Sequence, residues 1–277
     1  MKLAWCTDTH FDIYGQDENI PYKYGASLRG MKHDGIIITG DISQSHLLKQ
    51  HLSELVRGFG SENVYYVLGN HDVWGSHSKY FRESLTSEGY PGHYLTGCDP
   101  IRVSDGTYIT GFDGWYDAQY GDFTQTKFFM NDWYRVSEIC EEYIAGNGRI
   151  EPVIKVCRRI AESLSNTLPP KIASIANRAK RVIIATHIPP FPQNSNHRGA
   201  PSDAGSLPWY ASKSSGDMLL SLFRKYPHIN FEVLCGHSHS HAVYSPYKNA
   251  TVTTGFAEYR RATVAGTIEA LNDLRKM

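Results

Sequence analysis

Five short stretches of this 277-residue chain gather side chains that can bind metal or move protons. They are Asp8-Thr9-His10, Gly40-Asp41, Gly69-Asn70-His71-Asp72, Thr186-His187 and Gly236-His237-Ser238-His239. Carboxylate, amide oxygen and imidazole together suit borderline divalent ions such as Mn, Fe, Co or Zn. The stretches offer seven candidate ligands. They are too many for one ion of about four to six ligands and enough for two ions that share a bridge. Asp41 is the central candidate for that bridge, because a carboxylate offers two oxygens. Two divalent ions outweigh the charge of Asp8, Asp41 and a bridging hydroxide, so the site attracts an anionic phosphate. A single histidine of this kind reads more simply as a packed core residue. The weight lies in the joint, ordered occurrence of the five stretches.

Each stretch follows a short apolar, β-branched run, at 3–6, 36–39, 64–68, 182–185 and 231–235. Such runs read as buried strands of an α/β sheet. A sheet of this kind emits its loops at the carboxyl edge, where ligands bind. Helical spacing joins Leu47, Leu48, His51, Leu52, Leu55 and Val56, with Gly58 or Gly60 as the stop. Helices are also expected over 79–85 and 217–226, and strands over 242–244 and 251–254. The segment 118–180 lacks a short buried run. In it Val153, Cys157, Ile160, Leu164 and Leu168 recur every three or four residues, and the pattern resumes beyond Pro169-Pro170. It is read as a mainly helical insertion or cap within a single domain spanning 1–277. Its basic run over 149–181 reads as a solvated helix face in preference to a cover for an anionic substrate. The loop 189–208, rich in Pro, Gly, Ser and Asn, reads as a binding loop.

Composition narrows the function. Lys plus Arg and Asp plus Glu are 28 each, so no global basic field recruits nucleic acid or an anionic membrane. Apolar runs are far shorter than the ~20 residues of a membrane span. No secretory leader is visible, and the five scattered cysteines contain no CxxC, so reduced thiols and a cytoplasmic location are expected.

The ordered motifs, intact from position 8 to 239, resemble the calcineurin-like metallophosphoesterase superfamily. The resemblance implies a four-layer α/β/β/α sandwich of two mixed sheets flanked by helices. It implies one metal on Asp8, His10, Asp41 and His239, and a second on Asp41, Asn70, His187 and His237. It also implies that His71 acts near the leaving group with Asp72 as its carboxylate partner. Where many relatives carry Glu, this chain has the shorter Asp72. The segments over 111–123, 186–191 and 209–217 are similar to a bacterial branch of stand-alone phosphoesterases.

The expected activity is hydrolysis of a phosphomonoester or phosphodiester by a hydroxide bridging two divalent ions (Mn2+, Fe2+/Fe3+, Zn2+ or Co2+). The amide of Asn70 is expected to help neutralise the phosphoryl charge. A small phosphorylated substrate is expected, with no membrane partner. The alternatives are a nuclease acting on nucleic-acid phosphodiesters and a non-catalytic metal-binding scaffold. Arg198, Lys213, Trp115 and Tyr116 are candidate substrate contacts, the cations because they suit phosphate.

Overall fold

A computed structural model describes residues 1–15 and 19–270; the end of the expected 1–277 domain, 271–277, lies outside the described residues. Alternation along the strands explains the layering. In β1 (Lys2–Cys6), Leu3 and Trp5 face one side and Ala4 and Cys6 the other, as a period of two requires. All four are buried. In β2 (Gly35–Thr39), Ile37 joins the cluster of Leu3 and Trp5, while Ile36 and Ile38 join that of Ala4 and Cys6. A sheet apolar on both faces must be covered on both.

These strands lie parallel with β3 (Val64–Val67) and β4 (His93–Tyr94). A second sheet holds β5 (Ile101–Ser104), β6 (Thr107–Gly111) and β7 (Arg181–Ala185). After a small hairpin of β8 (Asn196–His197) and β9 (Ala200–Pro201), it gains β10 (Asn230–Cys235), β11 (Ala242–Tyr247) and β12 (Ala250–Thr254). Strand β13 (Val264–Glu269) returns to the first sheet, antiparallel to β1. The orders are β13-β1-β2-β3-β4 and β11-β12-β10-β7-β6-β5. Both sheets are mixed: parallel centres with antiparallel edge pairs β1–β13, β5–β6 and β11–β12.

The sheets pack face to face through Leu3, Trp5, Ile37 and Val67 against Ile109, Ile183 and Leu234. On the outer face of the first sheet lie α1 (Ile20–Gly30) and α2 (Ser45–Phe59), which bury Leu28, Leu48, Leu52 and Leu55. Gly60, with a left-handed φ of +75°, ends α2. After α3 (Ser78–Ser87), the segment 118–180 supplies α4 (Asp132–Arg135), α5 (Ser137–Ala145), α6 (Ile150–Ser165) and α7 (Leu168–Ile175). Then come α8 (Leu207–Tyr210) and α9 (Lys213–Lys225). Helices α7 and α9 cover the outer face of the second sheet. The result is helix, sheet, sheet, helix.

Several cations of the basic run over 149–181 are tied to the body. Arg158 donates to the Asp117 carbonyl, Lys171 to the Leu95 and Thr96 carbonyls, and Arg181 pairs with Glu232. No helix among the described residues is long and apolar enough to cross a membrane.

Candidate metal centre

The five motif stretches leave β1, β2, β3, β7 and β10 at their carboxyl ends. Parallel register brings them to one edge, and backbone bonds lock them there: Asp8 N to Gly40 O (3.0 Å), His10 N to Asp41 O (2.9 Å) and Gly236 N to His187 O (2.9 Å). Two further bonds cross between the sheets. His187 Nδ1 donates to Thr39 O (2.8 Å), and His237 N donates to the Asp8 carboxylate (3.1 Å).

The turns are sharp enough to need unusual backbone. Asp8, His10, Asp41, His237 and His239 all have positive φ, between 41° and 68°. Non-glycine residues rarely adopt that region, and when they do so together the surrounding structure is holding them there. Motif glycines permit the close approach. A Cβ on Gly69 would stand 2.1 Å from Asp41 Oδ1, and one on Gly236 1.9 Å from Thr7 Oγ1.

Among the described residues, three overlapping sets of side chains have ligand atoms within 4.8 Å of one another: Asp8, His10 and His239; Asp41, His187 and His237; and His10, Asp41 and His71. Asp41 faces both sides. Its Oδ2 lies 3.7 Å from His10 Nε2 and its Oδ1 3.4 Å from His187 Nε2. Asn70 Oδ1 approaches His187 Nε2 at 3.1 Å, and His239 Nε2 lies 3.2 Å from Asp8 Oδ1. All seven expected ligands are thus gathered.

The donors fit a pair of cations. His187 donates Nδ1–H to a carbonyl, and His237 donates Nε2–H to Trp209 O (2.9 Å). Each bond leaves the other ring nitrogen for a metal, the usual way a protein orients a histidine ligand. Charge points the same way. Burial alone would raise the carboxyls of Asp8 and Asp41, yet the neighbouring histidines hold both below the usual range. Burial disfavours a charge on His187, but Asp41 holds its pKa up to about 10. A divalent ion offers these carboxylates the positive charge that protons supply otherwise.

The buried Asp132 of α4 was not legible in any motif. Its Oδ1 accepts from Asn70 Nδ2 (2.9 Å) and from Trp74 Nε1, and its Oδ2 accepts from Tyr116 Oη (3.0 Å). Asn70 is thereby oriented with its oxygen toward His187. The amide nitrogen, expected to meet the phosphoryl group, is directed to Asp132 instead. Trp74 stacks on His71 with ring centroids 3.5 Å apart. Its place three residues after His71 was the one sequence cue to it.

The expectations for Asp72, Trp115 and Tyr116 need correction. Asp72 does not partner His71. Its Oδ1 accepts from the backbone N–H groups of Ile42 and Ser43 and its Oδ2 from that of Gly69, so it ties the second and third motif loops together. The imidazole of His71 instead has Nε2 3.8 Å from Asp41 Oδ2, and its Nδ1 has no partner among the described residues. Trp115 and Tyr116 are fully buried and line no open cleft; Tyr116 supports Asp132. Lys213 pairs with Asp217 one turn along α9. Arg198 is exposed in the β8–β9 turn, and its charge reaches the Tyr210 phenol at the rim of the site.

Among solved structures, the chain is similar to a dimetal phosphatase from Danio rerio at 15% identity, with a TM-score of 0.56, over 92% of this chain and 87% of that one. It is also similar to GAP50, the anchor in the inner membrane complex of Plasmodium, at 14% identity, with a TM-score of 0.50, over 92% of this chain and 70% of that one. At these identities the likeness is one of fold. No curated protein matches the chain. The family model for calcineurin-like phosphoesterases matches residues 1–241, which carry all five motif stretches and the strands that emit them. By that match this chain belongs to the calcineurin-like phosphoesterase family.

Proposed function

We propose that the protein is a binuclear metallophosphoesterase that hydrolyses a small phosphorylated substrate. The observation that carries this reading is Asp41 standing between two groups of ligands, its Oδ2 3.7 Å from His10 of the Asp8–His10–His239 group and its Oδ1 3.4 Å from His187 of the His187–His237 pair. Asp8, His10, Asp41 and His239 would hold one divalent ion, and Asp41, Asn70, His187 and His237 the other. Bound there, such ions supply Lewis acidity and a water of lowered pKa.

The chain's own residues do the rest. Thr39 O and Trp209 O fix the tautomers and ring planes of His187 and His237. Asp132 holds the Asn70 oxygen in place. His71, with its side chain 15% exposed while His10 and His187 are enclosed, stands on the open side. There its ring N–H can donate a hydrogen bond to the departing oxygen, help typically worth about 10²–10⁴ in rate. The small-substrate reading draws support from the basic run, where Arg158, Lys171 and Arg181 are bound to carbonyls and a carboxylate instead of joining a stripe for nucleic acid.

The test is to strip the protein of metal and reload Mn, Fe, Zn, Co or Mg separately. Each form is assayed on an aryl phosphate monoester and an aryl phosphodiester, beside Asp41→Asn. Metal-dependent turnover that Asp41→Asn abolishes, together with lost metal, is the expected result. Metal binding without turnover of either ester would favour a scaffold role.

A further inference from the structure

The family match ends at residue 241, yet one side chain against the metal-ligand cluster comes from beyond it. Tyr259 lies in the connection between β12 and β13. Its ring centroid is 4.8 Å from that of His10 and 4.7 Å from that of His239. The connection is tethered on both sides of it, by Ala257 N to His239 O and by Ala262 N to the Tyr14 phenol oxygen. The ring is therefore held in place, although Tyr259 is 55% exposed. One side leans on the two imidazoles and the rest is open to solvent.

A second tyrosine stands on the other ligand set. The Tyr210 ring centroid is 5.2 Å from that of His237, and Phe128 packs edge-on against Tyr210. Each half of the candidate centre thus carries an aromatic ring against one of its histidines. Aromatic rings so placed offer a face to a flat partner at little conformational cost. Neither ring serves the hydrolytic chemistry described above.

We infer that Tyr259 is a specificity-determining residue that stacks on the alcohol portion of the substrate, and that this portion carries a flat aromatic ring. The inference rests on the phosphoesterase reading and deepens it. It assigns the substrate class, an aryl or heteroaryl-bearing phosphoester, to a residue outside the matched region.

The experiment measures binding, so that it does not depend on turnover. Phenylphosphonate and methylphosphonate are titrated calorimetrically into metal-loaded wild type, Tyr259→Ala and Tyr259→Phe, with metal content and melting temperature recorded for each. Wild type and Tyr259→Phe should bind phenylphosphonate about tenfold more tightly than methylphosphonate, and Tyr259→Ala should lose most of that preference while methylphosphonate affinity stays unchanged. If Tyr259→Ala fails to load metal, Tyr259→Gln, which keeps bulk against His10 and His239, takes its place. A phenyl preference kept in the ring-less variant, or absent from wild type, overturns the inference and leaves the phosphoesterase reading standing. Loss of the preference in Tyr259→Phe overturns it too, because the phenol and not the ring would then be responsible. Failure of wild type to bind either phosphonate overturns the inference together with the reading beneath it.

Discussion

At the residue scale, the candidate centre is decided by which atom of each side chain is left over after its structural bonds. His187 and His237 each give one N–H to a carbonyl, so their other nitrogens serve the centre. Asn70 gives its N–H to Asp132, so its oxygen does. Removing Asp132 should therefore act through Asn70. Asp132→Ala is expected to weaken metal affinity about 10–100-fold at the Asn70 set, with the Asp8 set less affected, measured by calorimetric titration of the stripped protein. His71→Ala should retain both metals by elemental analysis and lose about 10²–10⁴ in turnover of an ester with a poor leaving group. Asp72 belongs to a different category. With three backbone N–H groups on one buried carboxylate, Asp72→Ala leaves donors unsatisfied at about 1–3 kcal/mol each. A large drop in the urea midpoint is expected, where a mere partner of His71 would have changed turnover alone.

At the element scale, loops held by side chains and close contacts set the distances. Asp113, at the end of β6, accepts from Leu68 N, Thr96 Oγ1, Arg82 Nε and Tyr94 Oη. It is a buried clamp between α3, β3 and β6. Asp113→Ala strands the guanidinium of Arg82, whose side chain is 11% exposed. A loss of about 3–5 kcal/mol in unfolding free energy is expected from chemical denaturation. The glycine of the last motif stretch is equally constrained. Gly236→Ala sets a Cβ 1.9 Å from Thr7 Oγ1 and 2.4 Å from Asp8 Oδ2, so metal binding at the Asp8 set should fall before the fold does. Near-native far-ultraviolet circular dichroism with reduced metal content would show this.

At the scale of the whole molecule, two sheets and their helix layers bury groups that titrate in alkali. Burial raises the Cys157 thiol from its ordinary 9.0 and the phenols of Tyr66 and Tyr94 from their ordinary 10.0. A group whose folded pKa is raised contributes stability that is intact below its unfolded pKa and is lost as pH rises toward the folded value. Urea midpoints should therefore hold steady to about pH 9 and fall beyond it. An unchanged midpoint at pH 10.5 would contradict the enclosure of these groups.

The sequence by itself determined the strands that emit the motifs, because short β-branched runs ending in Gly, Asp or His carry their own local signal. It also determined the seven metal-ligand candidates, whose residue types and order limit the chemistry. It did not reveal β13, an edge strand with no continuous apolar run, or α1, whose apolar stripe is interrupted by Gly25. Only the tertiary structure decided what surrounds the ligands. Asp132 comes from α4, Thr39 and Trp209 act through backbone carbonyls, and Tyr259 arrives from the far end of the chain. Pairings across such separations leave no spacing to read, since a carboxylate, a carbonyl or a ring becomes a partner only when folding brings it within hydrogen-bond or stacking distance. For the same reason Asp72 stood beside His71 in sequence and turned away from it in space.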